Sequence, residues 1–387
     1  MAPLLSLCMI VKNEAHQLRR CLQSVQPWVD ELIIVDTGST DETIAIAREF
    51  TPHVHAIVWP ADFAAARNAS LAHASGEWVF YIDADEELVV TDPQWRDQLT
   101  AESANTINQW SLLRREQAAN LNWSEFWNVR FGRRFPDLHF AGALHEQLYY
   151  RERPAVVGQL QGVYLIHHNQ QTPEQFLAKI RDRNIPILEK MVQQGDRRLQ
   201  NLVCLGDHYA ACGDGERAQA WYEQALEQIA PAVEQGVLPK DTTWLRHLLF
   251  WVSYRAFEAK DYETAQYYLS YGLRFFDRYP PLLYVAGLLI FELGLHRGAL
   301  PYFHRCLDLF EQGTYDRAEP FDRQWMTTQP AYSLGFTYMT LQECDRPKGV
   351  LRNRAIAYFQ KTLEFNPDYP PAQRYLQQLL TASANQG

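Results

Sequence analysis

At residues 77–87 the chain reads EWVFYIDADEE, an apolar strand-like run driven straight into carboxylates at 83, 85, 86 and 87. Like charges so close repel unless cations hold them. Two acids at i and i+2 just past a strand can address the same side. Carboxylates in that pattern suit a hard divalent cation, Mg²⁺ or Mn²⁺, which keeps open positions for substrate oxygens. Other polar groups follow other apolar runs. Lys12-Asn13-Glu14 follows LLSLCMIV, and Asp36-Thr37-Gly38-Ser39 ends ELIIVD. Arg67-Asn68 lies in a helical stretch, and further on come Ala143-Leu144-His145-Glu146 and Ile166-His167-His168.

The elements that must position these groups can be read from periodicity. Residues 4–11, 31–36, 54–59 and 77–82 predict strands buried on both faces. Helices are expected at 18–25, at 39–50 behind a Ser39-x-x-Glu42 capping box, and from an Asp62 cap to about Ala74, where Ser75-Gly76 ends it. That alternation predicts βαβ units, a parallel sheet with helices on both faces, and a ligand site beyond the C-terminal strand ends. The polar groups after each strand would then converge on one rim. Strand-like pieces at 107–113, 127–132 and 160–167 predict that the sheet continues with antiparallel character.

From about residue 199 the texture is all-helical, with an internal repeat. Leu205, Gly206, Tyr209, Ala218, Tyr222 and Ala225 have tetratricopeptide spacing. Ala265 and Ala299 are 34 positions apart, one period, and Gly287 and Phe303 belong to the second of those units. Leu334, Gly335, Tyr338, Ala355, Phe359 and Pro367 mark a fourth, with an excess around Cys344–Leu351, and residues 370–380 read as a capping helix. Stacked repeats make a concave binding surface.

Bulk properties narrow the function. A chain of 387 residues implies two domains, and 47% hydrophobic with 21% charged residues implies a globular protein. A net charge of −10 excludes broad nucleic-acid binding. The six cysteines show no CxxC and no zinc spacing, which predicts reduced core residues. The N-terminus lacks a signal peptide's basic start and cleavage site, and no apolar run is long enough to span a membrane. A cytoplasmic protein is expected.

The stretches SLCMIVKNE, ELIIVDTGSTDET, DFAAARN and WVFYIDADEEL, in this order, resemble glycosyltransferase family 2, the inverting sugar transferases of GT-A fold. The resemblance runs on through LHEQL and LIHH to RDRNIPIL. The branch with an HE motif and a tetratricopeptide tail is the most similar; lipopolysaccharide-core glucosyltransferases and S-linked glycopeptide synthases lie in or near it. The implied architecture is α/β: a GT-A-type, doubly wound, mostly parallel sheet over residues 1–190, then an all-α tetratricopeptide domain over 197–387 with about four repeats and a capping helix.

The resemblance implies a nucleotide-sugar donor, a UDP-sugar, held through a divalent cation, Mn²⁺ or Mg²⁺. It assigns Asp85 to the metal and Asp83 to the ribose and metal-bound water. Asn13 and Glu14 would touch ribose and base, and Asp36 the nucleobase. Glu14 could instead favour a helix's first turn, and Asp36 could also hold the turn ahead of its helix. Arg67 would reach phosphate or uracil, or else pair with Asp83 or Asp36. Glu146 is the candidate base that takes the acceptor's proton, with His145 orienting it or touching the acceptor. His167 would complete the metal site, but the run here is His167-His168-Asn169-Gln170 where the family has a His-aromatic-Gly-aromatic run, so either histidine could serve. The acceptor, a peptide, protein or glycan, would be presented by the repeats, which could also bind a protein partner or self-associate. The alternative is a non-catalytic tetratricopeptide scaffold with a degenerate transferase domain.

Overall fold

The computed structural model describes residues 3–102, 106–117, 123–168, 171–344 and 348–384. The chain divides into two compact units, 1–197 with 204–219 and 198–203 with 220–387.

In the first unit, four strands run parallel: β1 (Leu5–Val11), β2 (Glu31–Asp36), β3 (Val54–Ala56) and β4 (Trp78–Tyr81). Further strands are β5 (Glu86–Val90), β6 (Gln109–Gln117), β7 (Trp123–Arg133), β8 (Leu138–Ala141), β9 (Gln147–Tyr150) and β10 (Val157–His167). The main sheet has the order β3-β2-β1-β4-β7-β6-β10-β5. β7 is antiparallel to β4 and β6, and β10 is parallel to β6 but antiparallel to β5. The expected mostly parallel sheet with an antiparallel extension is therefore present.

Alternation along β1 builds both faces. Leu5, Leu7 and Met9 join Leu18, Cys21, Leu22 and Val25 of helix α1 (Leu18–Val25) on one side, with Trp78 and Phe80. Phe80 stacks on Phe131 at 4.5 Å. On the other side Cys8, Ile33, Val79 and Tyr81 pack with Ala64 of α3 (Phe63–Leu71) and with the β8–β9 hairpin. Cys8, Cys21, Cys204 and Cys306 are buried free thiols, as expected, but Cys212 is exposed.

Three local expectations are corrected. The third strand stops at Ala56 instead of residue 59, because it is the sheet edge and the chain turns away through Trp59-Pro60, where proline has no N–H for a ladder. The fourth strand ends at Tyr81 instead of residue 82. The Ser39–Glu42 capping box is absent: α2 (Thr43–Phe50) begins four residues later, and Asp41 Oδ1 takes the Thr43 N–H at 3.0 Å. Asp62 does cap α3, accepting the Ala65 N–H at 2.9 Å.

The second unit is helical: α8 (Leu245–Glu258), α9 (Tyr262–Phe275), α10 (Pro280–Glu292), α11 (His296–Glu311), α12 (Thr328–Cys344), α13 (Lys348–Phe365) and α14 (Pro370–Ala384). Preceding them, α4 (Pro173–Lys179), α5 (Ile185–Gln193), α6 (Leu199–Ala211) and α7 (Gly215–Gln235) complete the helices. The repeat-signature residues Ala265, Ala299, Phe303, Leu334, Ala355 and Phe359 are all buried. Their glycines permit close crossing. A Cβ on Gly287 would lie 2.5 Å from the Phe303 ring, and one on Gly335 would lie 2.8 Å from the Phe359 ring. Both rings are buried, so Gly287→Val should destabilise the second unit by about 2–3 kcal/mol through overpacking. Urea unfolding of the full chain would register this as a lower midpoint for the helical transition.

No helix among the described residues is long and apolar enough to cross a membrane.

Candidate active site

The loops after β1 and β2 are tied together. Asn13 has φ +56 and gives its N–H to Ser39 Oγ at 2.9 Å, while its Oδ1 accepts the Thr40 N–H at 2.8 Å. The Glu14 N–H bonds Thr43 Oγ1 at 2.7 Å. Asp36, 2% exposed, accepts the N–H groups of Gly38 at 2.9 Å and Ser39 at 3.0 Å. This turn places Gly38 at φ +106, a conformation that favours glycine. The turn role weighed for Asp36 is thus one that its carboxylate performs. Burial pushes the Glu14 carboxyl up; the hydrogen bond from Gln17 draws it back, and Asp85 adds to the rise.

The acidic run that opened the question is neutralised largely by arginine. Arg67, 5% exposed on α3, donates from Nη2 to Asp83 Oδ1 at 2.6 Å and from Nε to Glu146 Oε1 at 2.5 Å. Two of its nitrogens thus hold carboxylates, while Nη1 is buried with no hydrogen-bond partner among the described residues. Arg130 on β7 lies 3.5 Å from Asp83 Oδ2 and bonds Glu86 Oε1 at 2.5 Å. Glu86, fully buried, also accepts from Arg114 Nε at 2.7 Å and from the Asp83 N–H at 3.0 Å. Arg114 continues to Glu116 at 2.6 Å. Burial raises the Asp83 carboxyl, but Arg67 and then Arg130 outweigh it and hold the group well below the usual carboxylate range.

Arg114, Arg130 and Glu116 escaped the sequence reading, and Glu86 entered it only as one of the clustered carboxylates. Arg130 lies inside the strand-like run 127–132, whereas Arg114 lies one residue past the run 107–113. Only the register of β6 against β7 brings both onto one acid.

Asp85 differs from its neighbours. Its Oδ2 lies 3.1 Å from His167 Nε2, and among the described residues no guanidinium pairs with it. The antiparallel register of β10 with β5 sets His167 opposite Glu86, which delivers the imidazole to Asp85. His168 instead points Nε2 at Glu87 Oε2, 2.8 Å away, and gives its backbone N–H to the Asp85 carbonyl. Of the two histidines left open, His167 is the one facing Asp85. Asn169 and Gln170 lie outside the described residues. Among the described residues no three His, Cys, Asp or Glu side chains form a complete ligand set. A carboxylate 27% exposed beside an imidazole is a partial oxygen–nitrogen set, which fits a hard cation only if substrate oxygens complete the shell.

Glu146 has a side chain 12% exposed, with Oε1 held by Arg67. Among the described residues no hydrogen-bond partner holds its other oxygen. His145 precedes it at φ +54, so the backbone there is in the left-handed region that non-glycine residues seldom occupy. The Phe63 N–H bonds the Ala143 carbonyl at 2.9 Å and anchors this loop to the start of α3.

With strand order, converging loops and a partial cation site on one rim, the comparisons fall into place. Residues 6–94 match the model of Glycosyl transferase family 2. The chain carries a glycosyltransferase family 2 domain. A TPR repeat-containing protein of Synechococcus elongatus is 44% identical over 143 residues, 36% of this chain and 34% of that protein. The SPbeta prophage-derived glycosyltransferase SunS of Bacillus subtilis is 38% identical over 85 residues, 21% of this chain and 20% of SunS. The chain thus spans about a third or less of these relatives' length. Among solved structures, glucosyl-3-phosphoglycerate synthase from Mycobacterium tuberculosis with Mg²⁺ and uridine diphosphate is 28% identical, over 29% of this chain and 44% of that one, with a TM-score of 0.24. The glycosyltransferase domain is followed by a tetratricopeptide region.

Proposed function

We propose that the protein transfers a sugar from a nucleotide-sugar donor, a UDP-sugar, to an acceptor hydroxyl or thiol, with inversion and with help from a divalent cation. The observation that carries this reading is Asp85, the acid of the 83–87 cluster left without arginine and facing His167. Asp85 and His167 would hold the cation. Bound there, a Mg²⁺ or Mn²⁺ supplies positive charge against the leaving diphosphate.

The chain's own groups do the rest. Glu146, with one oxygen fixed by Arg67, takes the acceptor's proton through the other as the acceptor attacks the anomeric carbon and the sugar–phosphate bond breaks. His145, in its constrained backbone, orients Glu146 or touches the acceptor. Arg67 and Arg130 fix Asp83, which addresses the ribose. Asn13, Glu14 and Asp36 form the tied loops that take ribose and base. The repeat unit offers a surface for the acceptor or the protein bearing it, with half-buried rings at Trp244, the N-cap of α8, and at His247, Trp251 and Tyr254 along it. Repeat grooves bind peptides through such faces.

A panel of nucleotide sugars incubated with Mn²⁺ tests the reading, because slow donor hydrolysis needs no known acceptor. Release of nucleotide from one donor is expected. Silence across UDP-, GDP- and other nucleotide sugars, with no binding of their nucleotides, would favour the scaffold alternative.

A further inference from the structure

One acid beside the candidate cation site has no part in the roles above. Glu116 lies near the end of β6, two residues after Arg114 and on the same sheet face. Arg114 Nη1 holds Glu116 Oε1 at 2.6 Å, while Arg114 Nε holds the fully buried Glu86 at 2.7 Å. Glu116 is thus fixed by a guanidinium that is itself rooted in the fold. The parallel register of β10 with β6 sets Glu116 opposite His167. Its Oε1 lies 3.8 Å from His167 Nδ1, while the other ring nitrogen, Nε2, lies 3.1 Å from Asp85.

Imidazole chemistry gives this pairing a direction. A neutral ring has one N–H and one lone pair. A cation held between Asp85 and His167 takes the lone pair of Nε2, so the ring's hydrogen then sits on Nδ1. Nδ1 is buried and has no hydrogen-bond partner among the described residues. Leaving that N–H without an acceptor would be costly, and Glu116 is the carboxylate placed to receive it. A movement of about 1 Å or less brings the pair to hydrogen-bond distance. A carboxylate in this outer position fixes the ring's tautomer and makes the ligating nitrogen more basic. His168 lacks such an arrangement, because its Nε2 faces Glu87 at 2.8 Å.

We infer that Glu116 is a positioning residue: by accepting the Nδ1–H it holds His167 in the tautomer and orientation that present Nε2 to the divalent cation at Asp85. This inference rests on the glycosyltransferase reading. It gives the Arg114–Glu116 pair a purpose beyond charge balance, since Glu86, Arg114, Glu116 and His167 then tie the cation site to the buried interior of the sheet.

Mn²⁺ titrations of the full chain, with saturating UDP or GDP and read by the electron paramagnetic resonance of free Mn²⁺, test it. Wild type, Glu116→Ala and Glu116→Gln are compared. The electron spin-echo modulation of bound Mn²⁺ reports whether an imidazole nitrogen is a ligand. Glu116→Ala should bind Mn²⁺ about 10- to 100-fold more weakly and lose the imidazole signature. Its UDP affinity in chelator and its melting temperature should stay those of wild type. Glu116→Gln, whose amide oxygen still accepts an N–H, should recover part of the loss and the signature. Glu116→Thr, suited to a strand and too short to reach the ring, replaces alanine if that variant does not fold. Mn²⁺ affinity within about twofold of wild type in the short variant, well inside the loss a missing outer partner causes, would overturn the inference and leave the glycosyltransferase reading standing. So would bound Mn²⁺ without an imidazole signature in wild type. A parallel fall in metal-free UDP binding would also overturn it, since Glu116 would then serve structure and not the cation. Wild type that binds neither nucleotide with Mn²⁺ would remove the glycosyltransferase reading and the inference together.

Discussion

Glu86→Leu should cost the first unit about 3–5 kcal/mol, the largest stability loss expected from a single residue of the rim. Glu86 is fully buried and joins three donors: Arg114 Nε, Arg130 Nη2 and the Asp83 N–H. Leucine fills the volume but leaves two guanidinium groups facing an apolar side chain. Arg114 keeps Glu116, and Arg130 keeps only the longer contact to Asp83 at 3.5 Å. The penalty is the desolvation of cations whose partner has gone, which exceeds what the apolar replacement gains. Glu86→Gln should lose less, because its amide oxygen still accepts from Arg130 or the Asp83 N–H. Denaturant unfolding, followed by a signal from the sheet's tryptophans, measures both. A loss below about 1 kcal/mol for the leucine variant would mean the network is not a structural unit.

Asp85→Asn should reduce donor turnover about 100- to 1,000-fold without unfolding the protein. The substitution keeps the shape of the side chain and removes the charge that a hard cation requires. Asp85 is partly exposed and, among the described residues, its carboxylate pairs with His167 alone, so the melting temperature should move by no more than about 2 °C. The contrast with Glu86 is instructive. Two acids one residue apart belong to different classes, one neutralised inside the fold and one left for a ligand. Steady-state nucleotide release from the best donor, with a thermal melt alongside, separates them.

Much of this was legible in the residues. The near-continuous apolar run at 5–11 and the apolar residues 32–35 pointed to buried parallel strands, and the polar groups at their ends had to meet on one side. The repeat was legible because Ala265, Ala299 and Ala355 must be small where helices cross. The capping box failed for a local reason. Asp36 took the Ser39 N–H that Glu42 was expected to accept, Asp41 took the Thr43 N–H, and the Ser39 hydroxyl accepts from Asn13 instead. The Arg67 fork was half-read, since Asp83 was among its weighed partners but Glu146 was not. Arg114 and Arg130 were hidden because their significance lies in cross-strand register, a long-range property that alternation within a strand does not encode.

The central claim is that Asp85 anchors the cation through which a nucleoside diphosphate is held. Calorimetric titration of UDP, with GDP in parallel, into wild type and Asp85→Asn, each with Mn²⁺ and with chelator, tests it most directly. Wild type should bind one of them at least about tenfold more tightly with Mn²⁺, and Asp85→Asn should lose that gain. Equal affinity with and without Mn²⁺ in wild type, or a gain that survives in Asp85→Asn, would contradict the account.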